Sequence, residues 1–76
     1  MKELVRYMAQ ALVDSPDKVE VTEITGEQSA VIELRVDKAD IGKVIGKQGK
    51  TAKAMRSIIS SAAAKSKKRV VLEIVE

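Results

Sequence analysis

Residues 44–51, VIGKQGKT, form the most informative motif of the chain: two glycines stand three positions apart between an apolar pair and a lysine-threonine. The apolar spacing on both sides of this stretch is helical. Glycine, however, is less favourable than alanine inside a helix by about 1 kcal/mol. Gly46 therefore predicts the end of one helix, and Lys50 predicts the start of the next. We interpret residues 46–49 as a tight turn between two helices.

Hydrophobic periodicity on either side of this turn predicts six elements in the order αββααβ. The predicted elements are a helix over 1–13, strands over 18–25 and 29–36, a short helix starting after Asp37 and ended by Gly46, a helix from Lys50 to about Ala64, and a strand over 70–75. Pro16 ends the first helix, because the residue before a proline disfavours helical geometry. Asp37, with Asp40 three positions later, resembles a capping box. Ile24 interrupts the alternation of its strand and predicts a bulge or an early end.

Three helices and three strands predict an α+β fold with the helices packed on one face of a three-stranded sheet. The first helix is predicted to bury Leu4, Val5, Met8, Ala11 and Leu12, and the long helix to bury Met55, Ile58, Ile59, Ala62 and Ala63. The other face of the sheet is expected to be exposed to solvent, since it carries Glu20, Thr22, Glu33, Arg35 and Glu73.

Charge divides the chain into two unlike parts. Residues 1–40 hold five basic and nine acidic side chains, a net charge of −4, whereas residues 41–76 hold nine basic and two acidic ones, a net charge of +7. No acid occurs between Ile41 and Leu72. A stretch of one sign on a small domain favours a polyanionic partner, although a solvated lysine-rich face has the same composition.

The glycine turn has the features of a phosphate-binding site. A glycine at each end permits a tight turn and lets a ligand approach bare backbone. Unpaired amides at the start of the following helix, predicted at Gly49, Lys50 and Thr51, would donate hydrogen bonds to an anion, and Lys47 adds charge. The alternative is an ordinary helix-helix corner, where glycine is common at a helix end.

Residues 45–59, IGKQGKTAKAMRSII, resemble the signature of the KH domain, and the αββααβ order resembles its type II, bacterial form. The match covers the chain as one domain, 1–76, and is similar to the KhpA family of small single-KH proteins. That resemblance implies single-stranded RNA binding, a role as a post-transcriptional regulator or RNA chaperone, and a homodimer or a heteropartner with another KH domain. Ala52 departs from the large aliphatic residue that many KH domains have at this position.

The resemblance assigns roles to the basic half of the chain. Residues 46–49 would hold the sugar-phosphate backbone. Aliphatic side chains around them, with the strand edge near Leu34 or Val36, would form a floor for bases or belong to the core, and Arg56 is either a contact or a solvated helix residue. The residues predicted to contact RNA are Ile41, Lys43, Val44, Ile45, Gly46, Lys47, Gln48, Gly49, Lys50, Thr51, Lys53, Arg56, Lys67, Lys68 and Arg69.

Several other classes of protein are disfavoured. Histidine and cysteine are absent, so we predict no catalytic site, no metal and no cofactor or small-molecule substrate. A P-loop would need glycine where Val44 stands. A helix-turn-helix DNA reader and a pure protein-interaction module remain alternatives. No apolar run is long enough to span a membrane, and a cytoplasmic location is expected.

Overall fold

The computed structural model describes residues 1–75 and confirms the predicted order of elements. The helices are α1 (Lys2–Leu12), α2 (Ile41–Ile45) and α3 (Lys50–Ala64), and the strands are β1 (Glu20–Thr25), β2 (Ser29–Arg35) and β3 (Arg69–Val75). Three short 3-10 turns, at Pro16–Lys18, Lys38–Asp40 and Lys47–Gly49, connect them. The last of these turns follows Gly46 and ends at Gly49.

The sheet has the order β1-β2-β3, so β2 is the central strand. β1 and β2 form an antiparallel hairpin, whereas β2 and β3 pair in parallel through the crossover that contains α2 and α3. Because β2 has a neighbour on each side, it has no free edge, and Leu34 is fully buried. The prediction of a strand edge at Leu34 is therefore wrong, whereas the alternative position, Val36, is half-buried just after the end of β2. The edge that remains open beside the basic half of the chain belongs to β3.

The core lies between the helices and one face of the sheet. Its largest fully buried apolar side chains are those of Ile32, Leu34, Ile59, Val5 and Val44. The opposite face carries the predicted polar set, of which Glu20, Thr22, Arg35 and Glu73 are exposed and Glu33 is half-buried. This confirms an α+β fold with one solvated sheet face.

α1 and α3 bury different residues from those that the apolar spacing predicts. α1 buries Val5 and Ala9, whereas Ala11 and Leu12 are exposed. α3 buries Ala52, Met55, Ile59 and Ala63 and leaves Ile58 49% exposed. The small side chains of Ala9, Ala52 and Ala63 face inward, because helices that pack closely need little bulk at the contact.

The exposed apolar residues of the two helices meet in one groove of about 290 Å³. We call it the α1–α3 groove; it is lined by Tyr7, Met8, Ala11, Leu12, Thr51, Ala54, Met55 and Ile58. Tyr7, the only aromatic residue of the chain, is 73% exposed there. The groove is therefore an apolar surface with no covering element among residues 1–75.

β1 continues without a bulge, contrary to the prediction at Ile24. Its register with β2 is regular up to the pair Thr25 and Ala30. Ile24 simply faces outward, opposite Val31, which in turn lies beside Val71 of β3. The broken alternation therefore marks an apolar residue on the solvated face rather than a break in the strand.

Candidate nucleic-acid interface

The turn at residues 46–49 has left-handed backbone at three of its four positions. Gly46 has φ 77° and ψ 171°, Gln48 has φ 58°, and Gly49 has φ 74°. Residues that carry a side chain rarely adopt such backbone angles, which explains why a glycine stands at each end of the turn. Gly46 has a second constraint, because a Cβ built there would lie 2.6 Å from Thr51 Cβ and 2.8 Å from the Thr51 amide nitrogen. Gly49 has open space around it.

The turn offers different amides from those predicted. The Gly49 amide donates to the Gly46 carbonyl oxygen at 3.1 Å, and the Lys50 amide donates to the Lys47 carbonyl oxygen. These two predicted anion donors are therefore occupied. The next two amides after Gly46, those of Lys47 and Gln48, have no partner among residues 1–75. This is expected for the leading N–H groups of any helical turn, and it leaves two donors for an anion.

The cations around the turn are almost all unpaired within residues 1–75. Lys47, Lys50, Lys53 and Arg56 are exposed. Within residues 1–75, the only cations that form ion pairs are Arg6 and Lys43. The positive charge that follows Gly46 is therefore available to a ligand.

A groove of about 420 Å³ lies between α3 and the start of β3. We call it the β3 groove. Arg56 and Ser60 line it from α3, and Lys68, Arg69 and Val71 line it from the loop and the free strand edge. α3 starts at the glycine turn and passes beside this groove, and its 15 residues span about 22 Å. Turn and groove thus lie along one helix, with cations at intervals between them.

The aliphatic residues before the turn have unequal access to solvent. Val44 is fully buried and belongs to the core, so it offers no surface to a base. Ile41 and Ile45 are half-buried. Ile41 lines a third depression together with Val36 and Val75 near the other end of β3. Of the predicted apolar floor, Ile41, Ile45 and Val36 reach the surface.

Lys43 is held by two carboxylates instead of pointing freely outward. Its Nζ lies 2.8 Å from Asp14 Oδ2 and 3.5 Å from Asp40 Oδ1. The hydrogen bond and the charge of Asp14 raise the pKa of Lys43, and Asp40 adds to this effect. Partial burial lowers the pKa but does not cancel the rise. Among the predicted RNA contacts, Lys43 is the one whose side chain forms an ion pair within residues 1–75.

Asp40 is 2% exposed and lies at the start of α2. Its Oδ2 accepts a hydrogen bond of 3.1 Å from the Ser15 amide. Burial raises the pKa of Asp40, but the amides of Ser15 and Asp14 together with Lys43 outweigh this effect, so the pKa lies below its ordinary value. The capping-box prediction holds only for Asp37, whose Oδ1 accepts from the Ala39 amide at 3.0 Å. Asp14 and Ser15 were not singled out from the sequence, because nothing local marks contacts that span 25 to 29 positions.

Residues 1–75 contain neither a membrane-spanning helix nor a cluster of metal ligands. No helix there is long and apolar enough to cross a membrane. No group of three or more acidic, histidine or cysteine side chains there is arranged to hold a metal ion.

Comparison with solved structures finds the same fold in Era. An Aquifex aeolicus Era variant bound to GDP and aluminium fluoride matches with a TM-score of 0.65 at 24% identity. Era in complex with MgGDPNP and nucleotides 1506–1542 of 16S ribosomal RNA matches with a TM-score of 0.66 at 25% identity. Each match covers 96% of this chain and 28% of the Era chain, so the likeness concerns one part of Era.

Comparison with known sequences gives a closer match. A family model described as "KhpA/KhpB, KH domain" matches residues 2–74. The chain is 57% identical to a protein of Clostridium acetobutylicum, 59% to one of Caldanaerobacter subterraneus subsp. tengcongensis and 58% to one of Aquifex aeolicus. Each of the three is named RNA-binding protein KhpA, and the alignments cover at least 99% of this chain and at least 96% of each relative. The chain therefore belongs to the KhpA/KhpB family of KH-domain proteins.

Proposed function

We propose that this protein binds single-stranded RNA through the turn at residues 46–49 and the β3 groove, which lies farther along α3. The observation that carries the proposal is the turn itself, in which two free amides and two glycines lie beside unpaired cations. Backbone amides at the start of a helical turn favour anions, and the open space where a Cβ of residue 49 would stand leaves room for a phosphate to approach. The relatives are themselves named RNA-binding proteins, which supports the same ligand.

The geometry favours contact with the RNA backbone over reading of its bases. Phosphates would accept hydrogen bonds from the amides of Lys47 and Gln48, and Lys47, Lys53 and Arg56 would supply charge. Such contacts position a strand without selecting its sequence. Aromatic stacking, which strengthens base recognition elsewhere, can come from one ring only, that of Tyr7 in the α1–α3 groove. Weak binding with loose sequence preference suits an RNA chaperone or a post-transcriptional regulator.

Replacing Lys47 and Gln48 together by Asp tests the proposal. We expect affinity for a single-stranded oligoribonucleotide to fall by about 100-fold, because charge-assisted hydrogen bonds are replaced by repulsion. The fold should persist, since both side chains are exposed and Asp tolerates the left-handed backbone at position 48. Fluorescence anisotropy at several salt concentrations measures the affinity, and circular dichroism measures the fold.

The matched control replaces Lys2 and Gln10 of α1 by Asp, which changes the net charge by the same amount outside the turn. A loss confined to the turn variant supports a site there. An equal loss in both variants means that only overall charge matters, and unchanged binding in the turn variant rejects the site. Duplex DNA as a competitor separates this function from that of a DNA reader.

We further propose that two copies of the chain associate through the α1–α3 groove. Tyr7 projects beside an apolar depression, so the same face has both a protruding ring and a space to receive one. A surface that is complementary to itself permits a two-fold dimer. Pairing would place two short RNA sites in one particle and strengthen binding through effective concentration.

The variant Ile58→Asp tests this association. It places a charge in the groove at a position that is 49% exposed, so the folded monomer should tolerate it. We expect sedimentation equilibrium to show a dimer for the wild type and a monomer for the variant. Affinity for a four-nucleotide RNA should stay the same, whereas affinity for an RNA long enough to reach both sites should fall. A wild-type protein that is monomeric alone and dimerises only with another KH protein would assign the groove to a heteropartner instead.

A further inference from the structure

We propose that Lys43 is a positioning residue, held by Asp14 and Asp40 so that α2 presents the turn at residues 46–49 in its RNA-binding shape. This inference rests on the proposed function and assigns Lys43 a role other than the phosphate contact predicted from the sequence. It concerns the segment in which the end of α1 meets the start of α2.

α2 needs support from outside, because it has only five residues. Isolated helices of this length are unstable in water, since the first turn fixes several residues for a single hydrogen bond. The support at its start comes from the segment directly after α1. Asp40 accepts the Ser15 amide at 3.1 Å, and Lys43 reaches Asp14 at 2.8 Å. These two contacts join the end of α1 to the start of α2.

The same helix determines where the turn lies. The Gly46 amide donates to the Gly42 carbonyl oxygen at 2.9 Å, so the turn continues directly from α2. Val44 fixes one side of α2 in the core. Lys43 and Gly46 are three positions apart, a spacing that places residues on neighbouring positions of a helix surface. A shift of α2 about Val44 would therefore move Gly46 and the free amides of Lys47 and Gln48.

The charge on Lys43 is poorly suited to a phosphate contact. Two carboxylates lie within 3.5 Å of its Nζ, and one of them, Asp40, is almost completely buried. A phosphate approaching Lys43 would meet their negative charge and compete with both. Lys47 lies in the turn and Lys50 directly follows it, and neither has a carboxylate partner among residues 1–75.

The two roles predict opposite effects of Asp14→Asn. Electrostatics alone predicts tighter binding to a polyanion, because the substitution removes an acid and releases Lys43. A positioning role predicts weaker binding, because one of the two contacts that join the end of α1 to α2 is weakened. The Asp14 side chain is 79% exposed, so its substitution should leave the fold intact.

The experiment compares Asp14→Asn with Asp17→Asn, which has the same charge change on an exposed acid without an ion pair among residues 1–75. The probe is a fluorescent single-stranded oligoribonucleotide of mixed sequence, measured at a temperature where circular dichroism shows both variants folded. We expect Asp14→Asn to bind about two- to fivefold more weakly than the wild type, the scale of an exposed ion pair. Asp17→Asn should bind as tightly as the wild type or slightly more tightly. Binding by Asp14→Asn that equals or exceeds that of Asp17→Asn overturns the proposal.

Lys43→Met and Lys43→Arg provide a second measurement. A phosphate contact at Lys43 would make the slope of log affinity against log salt shallower by about 0.7 in Lys43→Met. A positioning role leaves that slope unchanged, lowers the affinity at every salt concentration, and is rescued by Lys43→Arg, which keeps the pair with Asp14. A shallower slope overturns the proposal.

The two proposals can fail separately. If the variant with Lys47→Asp and Gln48→Asp still binds RNA, the site at the turn is rejected, and the positioning role is rejected with it. If that variant loses binding while Asp14→Asn does not weaken it, only the positioning role is rejected.

Discussion

Gly46→Ala is expected to lower the free energy of unfolding by about 3 to 5 kcal/mol, a large part of the roughly 4 to 11 kcal/mol typical of a domain of this size. Two costs combine. Gly46 has φ 77° and ψ 171°, a region that residues other than glycine enter only at a cost of about 1 to 3 kcal/mol. The new Cβ would also overlap Thr51, and overpacking of this kind costs about 1 to 3 kcal/mol.

Two other glycines supply matched controls for this substitution. Gly49→Ala should cost only about 1 kcal/mol, because its φ of 74° is unfavourable for alanine but its surroundings are open. Gly42→Ala should stabilise the fold by about 0.4 to 1 kcal/mol, because Gly42 is exposed inside α2 and a Cβ there meets nothing within 4 Å. Urea denaturation followed by circular dichroism measures all three. Equal losses for Gly46→Ala and Gly49→Ala would show that the contact with Thr51 has no energetic weight.

Ile59→Ala is expected to destabilise the fold by about 2 to 5 kcal/mol, whereas Ile58→Ala should change the free energy of unfolding by less than about 1 kcal/mol. The two isoleucines are adjacent in α3, but Ile59 is 1% exposed and Ile58 is 49% exposed. Truncating Ile59 leaves a cavity beside Met55 and the sheet, because the close-packed side chains around it cannot move far enough to fill it. Truncating Ile58 removes atoms that already contact water.

Measurements on Ile58→Ala and Ile59→Ala should be made at a protein concentration where the wild type is monomeric, so that self-association does not contribute. A large loss of stability in Ile58→Ala under these conditions would contradict the placement of Ile58 at the surface. A small loss in Ile59→Ala would mean that the core collapses around the deleted atoms.

The sequence predicted the order of the elements because each has a strong local signal. Ala30, Ile32 and Leu34 alternate along β2 as a half-buried strand requires, and all three are buried. The glycine turn was also predicted, since glycine marks backbone that other residues avoid. These signals depend on neighbours a few positions apart and do not need the tertiary structure.

The orientation of the helices could not be predicted in the same way. The apolar positions of α3 cover a wide arc, and the spacing alone does not say which part of the arc meets the sheet. Ile58 and Ile59 therefore received the same assignment, although only Ile59 is buried. In α1 the buried arc is centred on Val5 and Ala9, which leaves Ala11 at the surface.

The candidate site was predicted in its location but not in its hydrogen bonds. The turn uses the amides of Gly49 and Lys50 to close itself, which depends on left-handed backbone at Gln48 that no sequence pattern indicated. The contact between Lys43 and Asp14 joins residues 29 positions apart. Such pairs become visible only when the fold brings α1 and α2 together.

The exposed position of Tyr7 determines how this protein can be followed in solution. The chain has no tryptophan, so Tyr7 is its only source of ultraviolet emission from an aromatic ring. The ring is already 73% exposed in the folded chain, so its emission will change little on denaturation. Any molecule that covers the α1–α3 groove will instead remove the ring from water. Tyrosine fluorescence is therefore a poor monitor of unfolding and a direct monitor of occupancy of that groove.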